Sequence, residues 1–293
     1  MKPAPFVYER PRTVREAAVL LRERQDAKVL AGGQSLVPLL NMRLASPSIL
    51  VDVNDVDEMK GIRLKDGRLR IGALTRHQEL ERDPVIRKGA PLLAEAARLI
   101  GHEAIRTRGT IGGSVAHADP AAELPLALHV LGATVHLVSE GGERSLAVED
   151  FFQGLMLTAM EAEEVLVDIT VPVKAPREGT AIREFARREG DFAVVAAAVR
   201  MRLGEDGDIV EARVSLGGVG PGPVRAHAME AALLGLRDEA SVLRRAALVR
   251  EEIDPEDDVH ASRAFRTHLA STLTEDAARS AFAAARQGRS EDR

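Results

Sequence analysis

The most informative parts of the sequence are two short glycine-rich stretches, Ala31-Gly32-Gly33-Gln34-Ser35-Leu36 and Thr110-Ile111-Gly112-Gly113-Ser114. Each places a glycine pair beside small hydroxyl or amide side chains, directly after an apolar β-type run or a turn. Because glycine lacks a Cβ atom, successive backbone N–H groups can converge on an anion and let it approach the main chain closely. Two such loops, far apart in sequence, are suited to the two sides of a pyrophosphate, the central group of a dinucleotide.

A single glycine pair is also the usual sequence of a tight turn, so the interpretation depends on the two stretches together. The first pair lies between a predicted strand and a predicted helix, but it does not match the G-x-G-x-x-G pattern of nicotinamide-binding Rossmann domains. The phosphate-binding pattern G-x-x-x-x-G-K-[ST] is absent from the sequence. The sequence therefore favours a dinucleotide site of a different kind.

Composition excludes several classes of function. The net charge of −5 argues against a nucleic-acid-binding surface, which is usually strongly basic. No apolar run approaches the length of a membrane span, and Met1–Pro5 has no signal-peptide core, so we expect a cytoplasmic protein. The sequence has no cysteine, which rules out a disulfide, a thiol nucleophile and a cysteine-ligated iron–sulfur cluster in this chain.

The order of apolar patterns predicts an α+β fold in two domains. Residues 28–53 read as a β-α-β unit, and an antiparallel hairpin around Asp66-Gly67 follows it. After a turn-rich linker, three strands at 181–187, 194–203 and 209–216 predict an antiparallel sheet with helices beside it. The predicted divisions are a first domain at 1–177 with subdomains of about 1–54 and 55–177, a second domain at 178–286, and a disordered tail at 287–293.

Six stretches in this order resemble a known family: Ala31–Leu36, Gly72–His77, Arg108–Ser114, Ala118–Pro125, Arg187–Ala193 and Leu216–Pro221. The chain resembles the FAD-binding medium subunit of molybdenum hydroxylases, the group that contains carbon monoxide dehydrogenase and xanthine dehydrogenase. The resemblance covers nearly the whole chain. It implies a vanillyl-alcohol-oxidase-type (PCMH) FAD-binding domain of two subdomains, followed by a smaller α+β domain with a three-stranded antiparallel sheet.

The function implied by this resemblance is electron transfer through bound FAD. Electrons from a molybdopterin-containing large subunit would pass through [2Fe-2S] clusters of a small subunit to the FAD, and from there to NAD⁺, a quinone or oxygen. The implied assembly is a heterotrimer that is possibly doubled. A stand-alone FAD-dependent oxidase or dehydrogenase and a flavin-free scaffold subunit are the alternatives, and neither has a distinguishing pattern in the sequence.

The resemblance also implies the cofactor-binding residues, while no catalytic acid, base or metal ligand is predicted. Three positions depart from the family pattern: Glu123 replaces an aspartate, Glu184 stands where many members have lysine, and Phe192 stands where some have tyrosine. The implied FAD-binding residues are Lys28, Val29, Leu30, Ala31, Gly32, Gly33, Gln34, Ser35, Leu36, Thr110, Ile111, Gly112, Gly113, Ser114, Asp119, Glu123, Leu166 and Phe192.

Several of these residues have an alternative structural interpretation. Asp119-Pro120 is also typical of a simple turn, and Phe192 is also consistent with a packed core position. The glycines of 217–223 are better explained by a strand-end bulge and turn than by a phosphate loop. His77, His102 and His117 lack metal-ligand spacing, although His117 is close enough to the second glycine stretch to be a minor cofactor candidate.

Overall fold

The computed structural model describes residues 2–24 and 26–291. Its first layer is a small parallel sheet in the order β1-β3-β2, with the first glycine stretch directly after β2. The predicted β-α-β unit is confirmed, because α2 connects the parallel strands β2 and β3. The elements of this layer are β1 (Val7–Glu9), α1 (Val14–Glu23), β2 (Lys28–Leu30), α2 (Leu36–Met42) and β3 (Ile49–Asp52).

The second layer is a five-stranded antiparallel sheet in the order β4-β5-β10-β6-β7. The hairpin predicted at Asp66-Gly67 is confirmed, and both of its turn residues have positive φ. The strands are β4 (Ile62–Lys65), β5 (Arg68–Gly72), β6 (Thr134–Ser139), β7 (Gly142–Ala147), the short pair β8 (Phe152–Gly154) and β9 (Leu157–Thr158), and β10 (Val165–Pro172). The helices are α3 (His77–Arg82), α4 (Pro84–Gly89), α5 (Pro91–Leu99), α6 (Glu103–Arg106), α7 (Ile111–His117), α8 (Glu123–Leu131) and α9 (Val148–Phe151), after a 3₁₀ turn at Asp57–Met59.

The third layer is an antiparallel sheet in the order β11-β12-β13-β14, covered by helices. Two expectations are corrected here. The sheet has four strands instead of three, because a two-residue strand pairs with β13. The last helix extends to Glu291, so residues 287–291 are helical where a disordered tail is predicted, and Asp292 and Arg293 lie outside the described residues. The elements are β11 (Glu178–Phe185), β12 (Val195–Leu203), β13 (Ile209–Gly217), β14 (Val224–Arg225), α10 (His227–Leu233), α11 (Glu239–Arg245), a 3₁₀ helix at Ala246–Glu251 and α12 (Arg263–Glu291).

Helix α8 joins the second and third layers. All nine of its residues are buried, because one side packs on the large antiparallel sheet and another packs on β12 and β13. Such a helix must be apolar around most of its circumference, and the sequence Leu124–Leu128 meets this requirement. At its far end, the buried His129 Nδ1 lies 2.8 Å from Ser215 Oγ on β13 and adds a polar contact to the interface. None of the described helices is both long and apolar enough to span a membrane.

The contact of α12 with β11 generates the first testable prediction. A Cβ atom at Gly179 would overlap the carbonyl oxygen of Ala281 and lie 2.5 Å from the amide nitrogen of Ala285, so α12 lies directly on the strand. We expect Gly179→Ala to lower the free energy of unfolding by about 1–3 kcal/mol, as overpacking does elsewhere. Denaturant titration measures the change. Gly141→Ala, in a turn with ordinary φ and space for a methyl group, is the control, and equal stability of the two variants would contradict this packing.

Candidate functional site

The first glycine stretch forms a loop between β2 and α2. The backbone N–H groups of Gly32, Gly33, Gln34 and Ser35 donate to no backbone or side-chain acceptor within residues 2–24 and 26–291. Gly33 has φ of +72°, a conformation that favours glycine, and the other residues of the loop are half-buried or exposed. Four successive free donors on one loop are the arrangement that binds an anion.

The second glycine stretch is not a loop, which corrects the expectation from the sequence. Thr110 is the N-cap of α7, and its Oγ1 accepts a hydrogen bond of 3.0 Å from the amide of Gly113. The amides of Ile111, Gly112 and Ser114 also have carbonyl acceptors, those of Thr75, Ala73 and Thr110 at 3.0, 2.9 and 3.0 Å. The second stretch therefore has no row of free donors comparable with that of the first.

The glycines of the second stretch instead permit close packing. A Cβ atom at Gly112 would lie 2.5 Å from the Cβ of Ala73 and 2.8 Å from its carbonyl oxygen. Gly113 is exposed in the first turn of α7, where a Cβ atom would come within 2.8 Å of the capping Thr110 Oγ1. Ala73 also donates its amide to the carbonyl of Val167 at 2.9 Å, so the start of α7 lies next to strand β10.

The first glycine stretch contacts the segment directly before the second stretch, which is consistent with the expectation that both lie near one ligand. A Cβ atom at Gly32 would overlap the carbonyl oxygen of Arg108 and lie 2.8 Å from the Cα of Gly109. No residue except glycine is compatible with this approach without moving one of the two backbones. The free amides of the first stretch are thereby placed beside the segment that leads into α7.

Two polar residues that were not among the predicted site residues hold this contact. Asn54 donates its side-chain amide to the carbonyl of Ala31 at 2.9 Å and accepts a hydrogen bond of 2.6 Å from Arg76 Nη2. Arg76 also donates through Nη1 to the carbonyl of Arg108. Asn54 follows a buried strand, and Arg76 lies within the family-like stretch Gly72–His77. No local sequence pattern, however, indicates that their side chains bridge the two segments.

The turn between α7 and α8 contains the next predicted residues. Asp119 Oδ1 accepts a hydrogen bond of 2.8 Å from the amide of Ala121, so the turn interpretation of Asp119-Pro120 is correct, and the role of Asp119 toward a cofactor stays a prediction. The carbonyl of Pro120 accepts the amide of Gly218 at 2.9 Å. Glu123 starts α8 with only 6% of its surface exposed.

The Glu123 carboxyl group lies in an unusual electrostatic environment. Its pKa is raised to about 8, mainly by burial; a hydrogen bond from its own backbone amide lowers the pKa, and the nearby acidic groups of Glu184 and Asp119 raise it. Glu184 on β11 has its pKa raised to about 7, also by burial. Both carboxyl groups thus lie close to the boundary between their neutral and charged forms near neutral pH.

The remaining predicted residues are more dispersed. Leu166 is buried in β10 directly before the bulge at Val167, and it pairs with Leu137 of β6. Phe192 is 68% exposed in the segment between β11 and β12, so the packed-core interpretation of this residue is wrong. Lys28 is exposed at the start of β2, and His117 is half-buried in the last turn of α7. The structure therefore brings the two glycine stretches together, whereas Phe192 extends from the third layer.

The chain matches two protein families over most of its length. Residues 4–174 match the FAD binding domain in molybdopterin dehydrogenase, and residues 180–281 match the CO dehydrogenase flavoprotein C-terminal domain. The chain therefore belongs to the family of FAD-binding medium subunits of molybdenum hydroxylases. It is an oxidoreductase subunit, and its cofactor is FAD.

Individual relatives agree with this assignment. The chain is 39% identical to caffeine dehydrogenase subunit beta from Pseudomonas sp. (strain CBB1), over 94% of each chain. It is 37% identical to the carbon monoxide dehydrogenase medium chain of Hydrogenophaga pseudoflava, over 97% of this chain and 99% of that one. Among solved structures, quinoline 2-oxidoreductase from Pseudomonas putida 86 is 38% identical with a TM-score of 0.92, covering 98% of this chain and 99% of the other.

The described residues fit the charged part of FAD at one place in particular. The pyrophosphate of FAD is an anion that needs several hydrogen-bond donors, and Gly32–Ser35 offer four amides without acceptors in the described part of the chain. Backbone amides held by a fixed loop require no reorganisation when the anion arrives. The first stretch thus fits the anion through free donors, whereas the amides of the second stretch already have acceptors within the chain.

The burial of Glu123 predicts how stability depends on pH. Its pKa is higher in the folded chain than the ordinary value of 4.5, so the folded state keeps a proton that the unfolded state releases as the pH rises. Stability should therefore fall between about pH 5 and about pH 8, by at most about 1.4 kcal/mol per pH unit for one proton. Glu123→Gln, which cannot ionise, should flatten this fall in denaturant titrations across that range. An unchanged slope would contradict the assigned environment of Glu123.

Proposed function

We propose that this chain binds the FAD pyrophosphate on the first glycine loop and passes electrons from partner subunits through that FAD to an acceptor. The observation that carries the proposal is the row of four free amides at Gly32–Ser35, held against the Arg108–Gly109 backbone. FAD supplies the redox chemistry when it is bound, since it accepts and releases electrons that amino-acid side chains cannot carry. The residues of this chain bind, orient and shield it.

The predicted site residues divide into three roles in this proposal. The first segment, Lys28–Leu36, binds the anion through its backbone. The second, Thr110–Ser114, lets the cofactor approach the start of α7, because Gly113 there is exposed and has no side chain. Asp119, Glu123, Leu166 and Phe192 line the flavin end in this proposal. For Leu166 the role is supported by the hydrogen bonds that connect Gly112 through Ala73 to Val167 of β10. No acid–base catalyst is needed for electron transfer, and none is assigned.

The partners proposed for this chain are a molybdopterin-containing large subunit and a [2Fe-2S] small subunit in a heterotrimer, possibly doubled. The names of several relatives, which are medium chains or lettered subunits of dehydrogenases, support this proposal. The absence of cysteine supports it further, because a cysteine-ligated cluster must come from another chain. NAD⁺, a quinone and oxygen remain the candidate acceptors, and the cytoplasmic location stays a prediction.

The domain division is also a proposal. We place the boundary at residue 177, between the FAD-binding part at 1–177, with subdomains of about 1–54 and 55–177, and the carboxy-terminal part at 178–286. The family matches, which end at residue 174 and begin again at residue 180, support this position. The start of β11 at Glu178 is consistent with it.

The role of the first loop is tested with Gly33→Val. A side chain at this position is strained by the φ of +72° and meets Val37 Cγ2 and Leu30 Cδ1 at 3.1 and 3.2 Å, so the amides should no longer converge. We expect the purified variant to lose at least about tenfold in FAD affinity, which corresponds to about 1.4 kcal/mol. Visible absorption and identification of the released cofactor measure the loss.

Gly235→Val is the matched control for this experiment. Gly235 has a similar φ of +79°, but nothing lies within 4 Å of its position for a Cβ atom, and it belongs to the third layer. Both variants carry a similar backbone strain, and circular dichroism and thermal unfolding should show that each variant still folds before its FAD affinity is compared. If Gly33→Val bound FAD as tightly as Gly235→Val, the loop would not be the pyrophosphate site.

The direction of electron flow is tested with the partner subunits. We expect a substrate of the complex to bleach the flavin absorption only when this chain is assembled with the large and small subunits, because the chain alone has no other redox centre. Bleaching is followed by stopped-flow absorption with a substrate that the assembled complex oxidises. Rapid reduction of the isolated chain by that substrate would instead favour a stand-alone flavin enzyme.

A further inference from the structure

The small parallel sheet brings the only tyrosine of the sequence to a buried carboxylate. Tyr8 of β1 pairs with Leu50 of β3, and Asp52 lies two residues further along the same strand. Because side chains two residues apart on a strand share one face of the sheet, Tyr8 and Asp52 lie on the same face. The Tyr8 hydroxyl donates a hydrogen bond to Asp52 Oδ2. Strand β1, at the edge of the sheet, is thus connected to its central strand through side chains as well as backbone.

The Asp52 carboxylate is held by neutral donors. It is only 7% exposed, and its Oδ1 accepts the backbone amide of Asn54 at 2.9 Å and the side-chain amide of Asn54 at 2.5 Å. Arg10, a nearby cation, is itself paired with Asp55 at 2.7 Å. Burial alone would raise the pKa of Asp52, but the hydrogen bonds from Tyr8 and Asn54 lower it below its ordinary value. At neutral pH the group is therefore a carboxylate, which accepts hydrogen bonds and donates none.

The charge of Asp52 determines the orientation of the Asn54 side-chain amide. The NH₂ group of Asn54 has two hydrogens, which it donates to Asp52 and to the carbonyl of Ala31 at 2.9 Å. Asn54 Oδ1 is then left to accept a hydrogen bond of 2.6 Å from Arg76 Nη2. The reverse orientation would place the oxygen against two acceptors and the NH₂ group against a guanidinium, so the chemistry of all three neighbours excludes it.

Asn54 in this orientation joins the two backbones of the candidate site. Ala31 directly precedes the free amides of the first glycine stretch. Arg76 donates to the carbonyl oxygen of Arg108, the same atom that a Cβ atom at Gly32 would overlap. Loss of the orientation would therefore release both sides of this contact at once.

We propose that Tyr8, Asp52 and Asn54 form a positioning network for FAD binding, in which the Asp52 carboxylate fixes the Asn54 amide and Asn54 holds the first glycine stretch in its anion-binding form. This rests on the proposed function, because it takes the first stretch as the pyrophosphate site. None of the three residues needs to touch the cofactor. The network orders the loop before FAD arrives, and so reduces the ordering that binding must otherwise impose.

Asp52→Asn and Tyr8→Phe test the network through the FAD affinity of the full chain, measured by titrating the flavin-free protein with FAD. Asp52→Asn replaces one accepting oxygen by a donor, and Tyr8→Phe removes only a hydroxyl group. We expect the affinity to fall about tenfold in Asp52→Asn and about threefold in Tyr8→Phe, within the net contribution of one hydrogen bond. Because Tyr8 is half exposed and keeps its ring, Tyr8→Phe decides the question if Asp52→Asn folds poorly.

Asp26→Asn is the matched control. Asp26 accepts hydrogen bonds from the backbone amide and the hydroxyl of Ser48 at 3.0 and 2.7 Å, so the variant loses the same kinds of contact in the same layer. These bonds lead to the residue before β3 and not to the first glycine stretch. Asp26→Asn should therefore keep the wild-type affinity for FAD. The proposal is overturned if the folded network variants bind FAD as tightly as Asp26→Asn does.

A double variant distinguishes positioning through Asn54 from a general loss of stability. Asn54→Ala removes the group through which Asp52 is proposed to act. We expect Asp52→Asn to lower FAD affinity about tenfold in the wild-type background but less than about twofold in the Asn54→Ala background. Equal fold-changes in the two backgrounds would show that Asp52 does not act through Asn54, and would overturn the network.

The tyrosine emission of the flavin-free chain tests the first link independently of FAD. The sequence has one tyrosine and no tryptophan, so this emission comes from Tyr8. A carboxylate that accepts the phenol hydrogen bond quenches tyrosine emission, because it takes up the proton in the excited state. We expect stronger emission from Asp52→Asn and unchanged emission from Asp26→Asn. Equal emission from the wild type and Asp52→Asn would refute the hydrogen bond on which the network is built.

Failure of the proposed function has a different signature. If Gly33→Val binds FAD as tightly as the wild type, or if the wild type binds no FAD, the first stretch is not the pyrophosphate site and both proposals fail. If Gly33→Val loses FAD while Asp52→Asn and Tyr8→Phe keep the wild-type affinity, only the network is wrong.

Discussion

The candidate site depends on one close approach of two backbones, that of Gly32 to Arg108 and Gly109. The approach joins the small parallel sheet to the helical segment of the second layer, and any side chain at Gly32 would separate them. Arg76 and Asn54 hold the approach from the side by hydrogen bonds to both segments. This contact holds in place the loop that carries the free amides.

A second constraint comes from the burial of α8. Since every residue of this helix is buried, the third layer cannot move away without exposing a large apolar surface. The same packing carries Glu123 into the interior, so the helix that joins the two parts of the chain also places an acidic group there.

The sequence predicted those features that local chemistry determines. The hairpin at Asp66-Gly67 and the hairpin between β12 and β13 follow from turn residues between alternating strands, and both are present. The sequence also led us to expect that the two glycine stretches lie near one another, because two such loops suit the two sides of one pyrophosphate, and the contact of Gly32 with Arg108 and Gly109 is consistent with this expectation. These inferences required only neighbouring residues and the ordered set of family-like stretches.

Features that depend on tertiary contacts were missed or misassigned. The second glycine pair was expected to form a loop, but Thr110 caps a helix there and Ala73 accepts the amide of Gly112. Strand β14 is only two residues long and is a strand only because it pairs with the edge of β13. The bridging role of Arg76 arises from residues far apart in sequence, which no periodicity reveals.

The measurement that tests the account most directly is amide hydrogen exchange of the chain with and without FAD, read at individual residues. The amides of Gly32–Ser35 have no acceptor among the residues that the structure describes and should exchange rapidly in the free chain, then become strongly protected when FAD binds. The amides of Ile111–Ser114 already have acceptors and should be protected in both states. Equal, rapid exchange of Gly32–Ser35 in a chain that demonstrably holds FAD would contradict the proposal that this loop binds the pyrophosphate.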